Sequence, residues 1–364
     1  MNLAIWDIES SSASTDFGSI IEIGGVLVDE NFKEKDRFNL RCRLPEGEIF
    51  QAMALIVNKT SIKKLTQANL SHYQMLAEVE KIFKKWSPAI FLGWSNIGFD
   101  DEMIRKEFFK GIRYPYLTNA APNKRHDGIN IARAAYAVDP NILEVEFNEK
   151  NNAVFKLESI ARMQGIDSSD AHSALADAEM TAKVLSIVKK KQEHTWNDFL
   201  KTANKSDTET IIKKGDIFTL NEYYYGKSRL HLVVPLHPKY CMHPIYQGWY
   251  YSVDLRTDVE PLLNLSINEL KVEMKKSPKF LRTIRSNKAP IIVDAKFGMK
   301  AEPYNAMDES LIKKRAEIVQ KNEKFSQNIL VALREVAEEK EHSKSQEDIY
   351  AEESIYTKFT SNKD

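Results

Sequence analysis

Asp7 and Glu9, in the run Leu3-Ala4-Ile5-Trp6-Asp7-Ile8-Glu9, are the first residues whose type and spacing could do chemistry. The apolar run Leu3 to Ile8 reads as a buried strand, and residues two apart on a strand share a face. Two carboxylates on one face of a core strand repel each other and lose their hydration, unless a cation neutralises them. The pair therefore predicts a metal site, provided that the chain supplies further ligands. Two later acids qualify, Asp100 in Asn96-Ile97-Gly98-Phe99-Asp100 and Asp177, and His172, in Asp170-Ala171-His172-Ser173, stands five residues before Asp177. Oxygen ligands without cysteine favour hard cations, Mg²⁺ with Mn²⁺ as a substitute. Two such ions about 3.5–4 Å apart can clamp both oxygens of an in-line phosphoryl displacement. His172 has the right ordinary pKa to take a proton from the attacking water. Asn96 or Asp100 could instead merely cap a helix.

The elements that must position these groups are legible as periodicity. Ile20 to Val28 and Arg37 to Leu44 read as a second and a third strand, forming an antiparallel meander with the first. Gly24-Gly25 suggests close backbone packing. Helical spacing marks Ser61 to Trp86, and Ala89 to Trp94 is another buried strand. Helices are expected from Met103 to Phe109, Asp127 to Val138, Lys156 to Gln164, and from the His172 region to about Lys191. Gln192 to Asp216 is polar, Lys-rich and aperiodic, and reads as a linker. Ile217 to Leu255 is β-like and suggests a small barrel, followed by helices at Ser266 to Met274 and Ser310 to Lys340. The charged stretch from Glu341 to Asp364 reads as solvated.

Composition bounds the function. With 52 basic and 52 acidic residues, net charge is zero, so any nucleic acid must be held by a local basic groove. No apolar run spans a bilayer, and the N-terminus does not read as a secretory signal, so no membrane partner is expected. The two cysteines, Cys42 and Cys241, lie far apart and support neither a disulfide scaffold nor a zinc site. A reducing cytoplasm is the expected location.

Taken together, the motifs resemble the DEDD superfamily of 3′→5′ exonucleases in its histidine subtype. Asp7-Ile8-Glu9 is similar to its first motif, Asn96-x-x-Phe99-Asp100 to its second, and His172-x-x-x-x-Asp177 to its third. Ser10 departs from the Thr that many members carry there, leaving the acids untouched. The resemblance is stronger still to the bacterial exonuclease I family, which degrades single-stranded DNA. It rests on Gly93 to Phe109, Arg125-His126-Asp127, Ala132 to Ala137, and Phe155-Lys156-Leu157-Glu158. In the second half it rests on Pro235-Leu236-His237-Pro238, Val253-Asp254-Leu255, Glu260-Pro261-Leu262-Leu263 and Asn287-Lys288-Ala289-Pro290.

The resemblance implies an α/β fold: a ribonuclease H-like mixed sheet with flanking helices over 1–191, then a linker over 192–216. An SH3-like β-barrel domain with helical additions would occupy 217–345, and 346–364 would open a helical domain that is mostly missing. It implies that Asp7, Glu9, Asp100 and Asp177 hold two metal ions and that His172 is the general base. Substrate would touch Glu9, Arg105, Tyr116, Arg133, Lys156 and His172, with Lys156 standing where the family has Arg. Lys keeps the charge there but loses the bidentate grip on phosphate. The expected partner is single-stranded DNA, and the enzyme is expected to act as a monomer in DNA repair. Docking of single-stranded-DNA-binding protein, a family property, is put in question by the short C-terminus, as is processivity. The competing readings are an exoribonuclease trimming RNA 3′ ends and a single-strand-binding module without chemistry.

Overall fold

Strand β1 (Asn2–Ser10) can sit in the middle of a sheet because both of its faces are apolar down to Ile8. Residues 1–343, apart from 49 and 170, are described by a computed structural model. The expected tail and domain opening at 346–364 lie outside the described residues. β2 (Ile20–Val28) is buried along its whole length, and β3 (Glu34–Arg41) is a charged edge strand. These three form the antiparallel meander, and β3 starts earlier than the alternation suggested. Helices α1 (Ala52–Val57), α2 (Ile62–Thr66) and α3 (His72–Trp86) follow. The single helix expected over 61–86 is thus broken, because Ser71 and Gln74 form a capping box that starts α3 afresh.

β4 (Ala89–Leu92) joins β1 in parallel, and a short 3₁₀ turn at Asn96–Gly98 leads into α4 (Asp100–Lys110). β5 (Lys124–Arg125) completes a mixed sheet of order β3-β2-β1-β4-β5. α5 (Gly128–Val138), α6 (Leu157–Met163) and α7 (Ala174–Lys191) come next. Ala4, Trp6 and Ile8 pack into one apolar layer with α3 and α4. Leu3 and Ile5, on the face shared by Asp7 and Glu9, pack into the other with α5 and α7.

The stretch 192–216, expected as a linker, is a helical pair: α8 (Glu193–Leu200) and α9 (Lys205–Lys213). Its few apolar residues are the reason, since Trp196, Phe199, Ala203 and Ile212 are all buried. A second antiparallel sheet follows, made of β6 (Phe218–Tyr224), β7 (Lys227–Pro235), β8 (Trp249–Asp254), β9 (Leu281–Arg285) and β10 (Ile291–Val293). Its order is β10-β6-β7-β8-β9, so among the described residues it stays open, a half-barrel rather than the closed barrel expected. Three residues long, β10 turns its Ile291 and Val293 into the apolar cluster of the first sheet. α10 (Ile267–Glu273), α11 (Ala295–Met299), α12 (Glu309–Lys321) and α13 (Glu323–Ser343) pack around this half. The helix expected over 310–340 is divided at Asn322.

Candidate active site

The C-terminal end of β1 presents Asp7 and Glu9 toward α7, which carries Asp177 in its first turn. Oxygens of Asp7, Glu9 and Asp177 lie within 4.8 Å of one another. α7 can approach this closely because Gly24, opposite Asp7 on β2, has no side chain. A Cβ at Gly24 would stand 2.4 Å from the backbone nitrogen of Leu175. Asp100 enters from the other side of β1, its Oδ1 accepting the Ile8 amide at 3.3 Å. The N-cap of α4 is Phe99, so neither Asn96 nor Asp100 caps that helix. The Asn96 amide nitrogen instead donates to Asp101 at 3.4 Å.

The loop ahead of α4 is pinned by Asp127, which accepts the amides of Ser95 at 3.0 Å and Ile97 at 3.3 Å. Ser95 is held there in the left-handed region, φ +68. His172 also sits at positive φ, +71, and its amide donates to Asp177 Oδ1 at 3.2 Å. Its side chain is half-buried just before α7.

Electrostatics follow from the crowding. Burial first, then the charges of Asp100, Asp177, Glu9 and Glu22, push Asp7 well above the ordinary carboxylate range. Burial and the neighbouring Asp177, Glu22 and Asp100 push Glu9 up to about 8, with Arg41 pulling the other way. Asp100 is pushed up to about 8, chiefly by burial. Burial raises Asp177 too, against the amide hydrogen bond from His172. A donor set of clustered oxygens that resists ionising alone is one that a divalent cation fits.

Glu22 escaped the sequence reading. It is 2% exposed, lies opposite Glu9 in the β1–β2 register, and pairs with Arg41 on β3. A lone acid inside Ile20-Ile21-Glu22-Ile23 carries the same signal that exposed Asp7 and Glu9.

Of the expected substrate contacts, Glu9 belongs to the carboxylate cluster and His172 adjoins it, while Arg105, Tyr116, Arg133 and Lys156 lie outside it. Arg105 pairs with Glu102 and interacts with Tyr116, whose ring meets Tyr114 edge-on. Arg133 and exposed Lys156 line one cleft of about 730 Å³, with Trp94, Phe155, Glu158 and Tyr223. The Arg133 guanidinium lies 3.6 Å over the ring of Tyr223, a residue of the second sheet. Glu158, on the wall of this cleft, contributes to the raised pKa of Asp177.

A family model described as Exonuclease (RNase_T) matches residues 5–185, the span that contains all five of these acids and His172. Through this domain the chain belongs to the exonuclease family. Among relatives, exodeoxyribonuclease I of Haemophilus influenzae is 25% identical over 310 residues, covering 80% of this chain and 64% of that protein. The exodeoxyribonuclease I of Escherichia coli is 24% identical over 267 residues, covering 70% and 55%. The chain spans less than two-thirds of the length of these curated relatives. In fold, this exonuclease-family chain is similar to E. coli exonuclease I in complex with a dA16 oligonucleotide. The TM-score is 0.80 at 20% identity, over 100% of this chain and 78% of that one. An ExoI/SSB-Ct complex is similar at TM-score 0.77 and 18% identity, over 100% of this chain and 78% of that one.

Proposed function

We propose that the chain is a metal-dependent 3′→5′ exonuclease that hydrolyses single-stranded DNA to 5′-mononucleotides by two-metal chemistry, in DNA repair. The observation that carries this is the meeting of Asp7, Glu9 and Asp177 within 4.8 Å, inside a domain of the exonuclease family. In this reading Asp7, Glu9, Asp100 and Asp177 hold Mg²⁺, for which Mn²⁺ can substitute. Bound there, the ions would supply Lewis acidity toward the phosphate and acidify water. His172, on its strained turn beside Asp177, accepts the proton of the attacking water. The new P–O bond forms as the P–O3′ bond breaks, and the 3′-oxygen leaves with a proton. Glu9 and His172 thereby also touch the terminal nucleotide.

Arg105, Arg133 and Lys156 hold phosphates without reading sequence, and Tyr116 offers an aromatic face to a base. A neutral chain needs such local cations, and both the Arg105–Tyr116 pair and the cleft of Arg133 and Lys156 provide them. Solved neighbours in complex with dT13 and dA16 support a single-stranded DNA substrate, and the ExoI/SSB-Ct complex supports single-stranded-DNA-binding protein as a partner. Among the described residues no helix is long and apolar enough to cross a membrane, and a monomer working in the cytoplasm completes the proposal.

The test is digestion of 5′-labelled single-stranded DNA against RNA of the same sequence, with Mg²⁺ and with EDTA. A Mg²⁺-dependent ladder on DNA is expected. Preference for RNA would move the chain to the exoribonuclease reading, and binding without cleavage would make it a binding module.

A further inference from the structure

Among the described residues near the site, three other than glycine hold left-handed backbone, and one of them has no place in the reaction described above. Ser95 and His172 belong to the catalytic loops, whereas Lys59, φ +46, lies in the turn between α1 and α2. Side chains rarely adopt this conformation, and they persist in it where the surroundings impose it. Here they do. Asn58 is buried and its Nδ2 donates to the carbonyl of Ser10, next to Glu9, at 2.9 Å. Thr60 is buried, donates to the Asn58 carbonyl at 3.0 Å, and accepts Arg41 Nη1 at 3.2 Å. Arg41 is the partner of Glu22, and Glu22 in turn accepts Ser173 Oγ at 3.4 Å. Clamped on both sides, Lys59 extends Nζ to the carbonyl of Ala171 at 3.1 Å. Ala171 immediately precedes His172, whose amide is bound to Asp177.

We propose that Lys59 is a positioning residue for the hydrolysis: its ammonium holds the Ala171 carbonyl and so fixes the strained His172 turn against Asp177. The inference rests on the exonuclease reading and adds to it a cation joining the α1–α2 turn to the general base. Structurally the tie joins the end of β1, carrying Glu9, to the entry of α7, carrying Asp177, through two adjacent side chains, Asn58 and Lys59.

The experiment compares wild type with Lys59→Met, Lys59→Arg and Lys59→Gly in the full chain, by hydrogen exchange over 171–173 and by steady-state kinetics on single-stranded DNA. Exchange at the His172 amide should rise about tenfold in Lys59→Met and return toward wild type in Lys59→Arg. kcat should fall about tenfold in Lys59→Met, with KM within about twofold. Lys59→Gly accommodates the left-handed backbone but lacks the ammonium, so it should lose rate while keeping its Tm. It also gives the same readings should Lys59→Met fail to fold. Unchanged exchange in Lys59→Met and Lys59→Gly overturns the proposal, and so does raised exchange in them with an unchanged kcat. A wild type that digests no DNA overturns the exonuclease reading instead, and the exchange measurement still decides whether Lys59 holds the turn.

Discussion

Five carboxylates, Asp7, Glu9, Glu22, Asp100 and Asp177, share one end of β1, and among the described residues only Glu22 forms an ion pair, with Arg41. Glu9 and Asp100 are pushed up to about 8, far above the value of about 4 expected in the unfolded chain. The metal-free native state therefore binds more protons than the unfolded state between those values, and it loses stability as pH rises through that window. Tm measured in EDTA should fall from pH 5 to pH 8.5, and Mg²⁺ should restore it most at the alkaline end, where no protons compete. Asp7→Asn removes one repelling charge: metal-free Tm at pH 8 should rise while turnover drops by about 10³-fold or more. A variant that stays active would remove Asp7 from the metal site. His172→Ala should lower kcat by about 10²–10⁴-fold and leave the Kd for single-stranded DNA, measured without Mg²⁺, almost unchanged. Equal losses in kcat and affinity would make His172 a binding group rather than a base. At this scale the site was largely legible, because a carboxylate in an apolar run is conspicuous. Lys59 was not, since its role depends on a backbone angle and on a carbonyl 112 residues away.

At the scale of elements, the site depends on how closely α7 lies on β2. Gly24 allows that approach, and the Gly24-Gly25 pair was readable as close backbone packing, though not which helix came near. Gly24→Ala would drive a methyl group into the Leu175 backbone at 2.4 Å, where no flexible side chain can yield. The expected cost is about 1–3 kcal/mol of stability, as for overpacking generally. Asp177 rides on the displaced helix, so Mg²⁺ affinity, followed calorimetrically, should weaken as well. A variant of lower Tm but unaltered Mg²⁺ binding would show that β2 supports the fold without setting the ligands. Periodicity located β1, β2, β4 and the long helices because each buries a stripe of its own. It missed the break before α3 and the division at Asn322, which are set by local capping rather than by hydrophobic period.

At the scale of the whole molecule, the boundary expected at 191 runs through shared core. Trp196 and Phe199 of α8, and Ile291 and Val293 of β10, lie in the same apolar cluster as Leu3, Ile5, Ile131 and Val184. Polar composition concealed this: α8 contributes few apolar residues, but nearly all of them face inward. Similarly, a sequence rich in short strands suggests a barrel, and nothing in it reveals that the last strand serves its neighbour's core instead of closing the ring. Polar ties follow the same seam, with Arg125 donating to the Asn287 carbonyl at 2.8 Å and Arg133 over Tyr223. Fully burying a large apolar side chain is worth about 1.5–3 kcal/mol, so the four from α8 and β10 supply about 6–12 kcal/mol. That is comparable to the entire stability of an ordinary domain, about 5–15 kcal/mol. A variant ending at Lys191 should therefore lack a cooperative thermal transition, although it contains every proposed metal ligand. One ending at Ser343 should unfold in a single transition, because no plane between the sheets is free of common core. Two separate transitions in the longer variant, or a folded and Mg²⁺-binding 1–191, would show that the first sheet closes its core alone. In that case the second half would serve the strand rather than the fold.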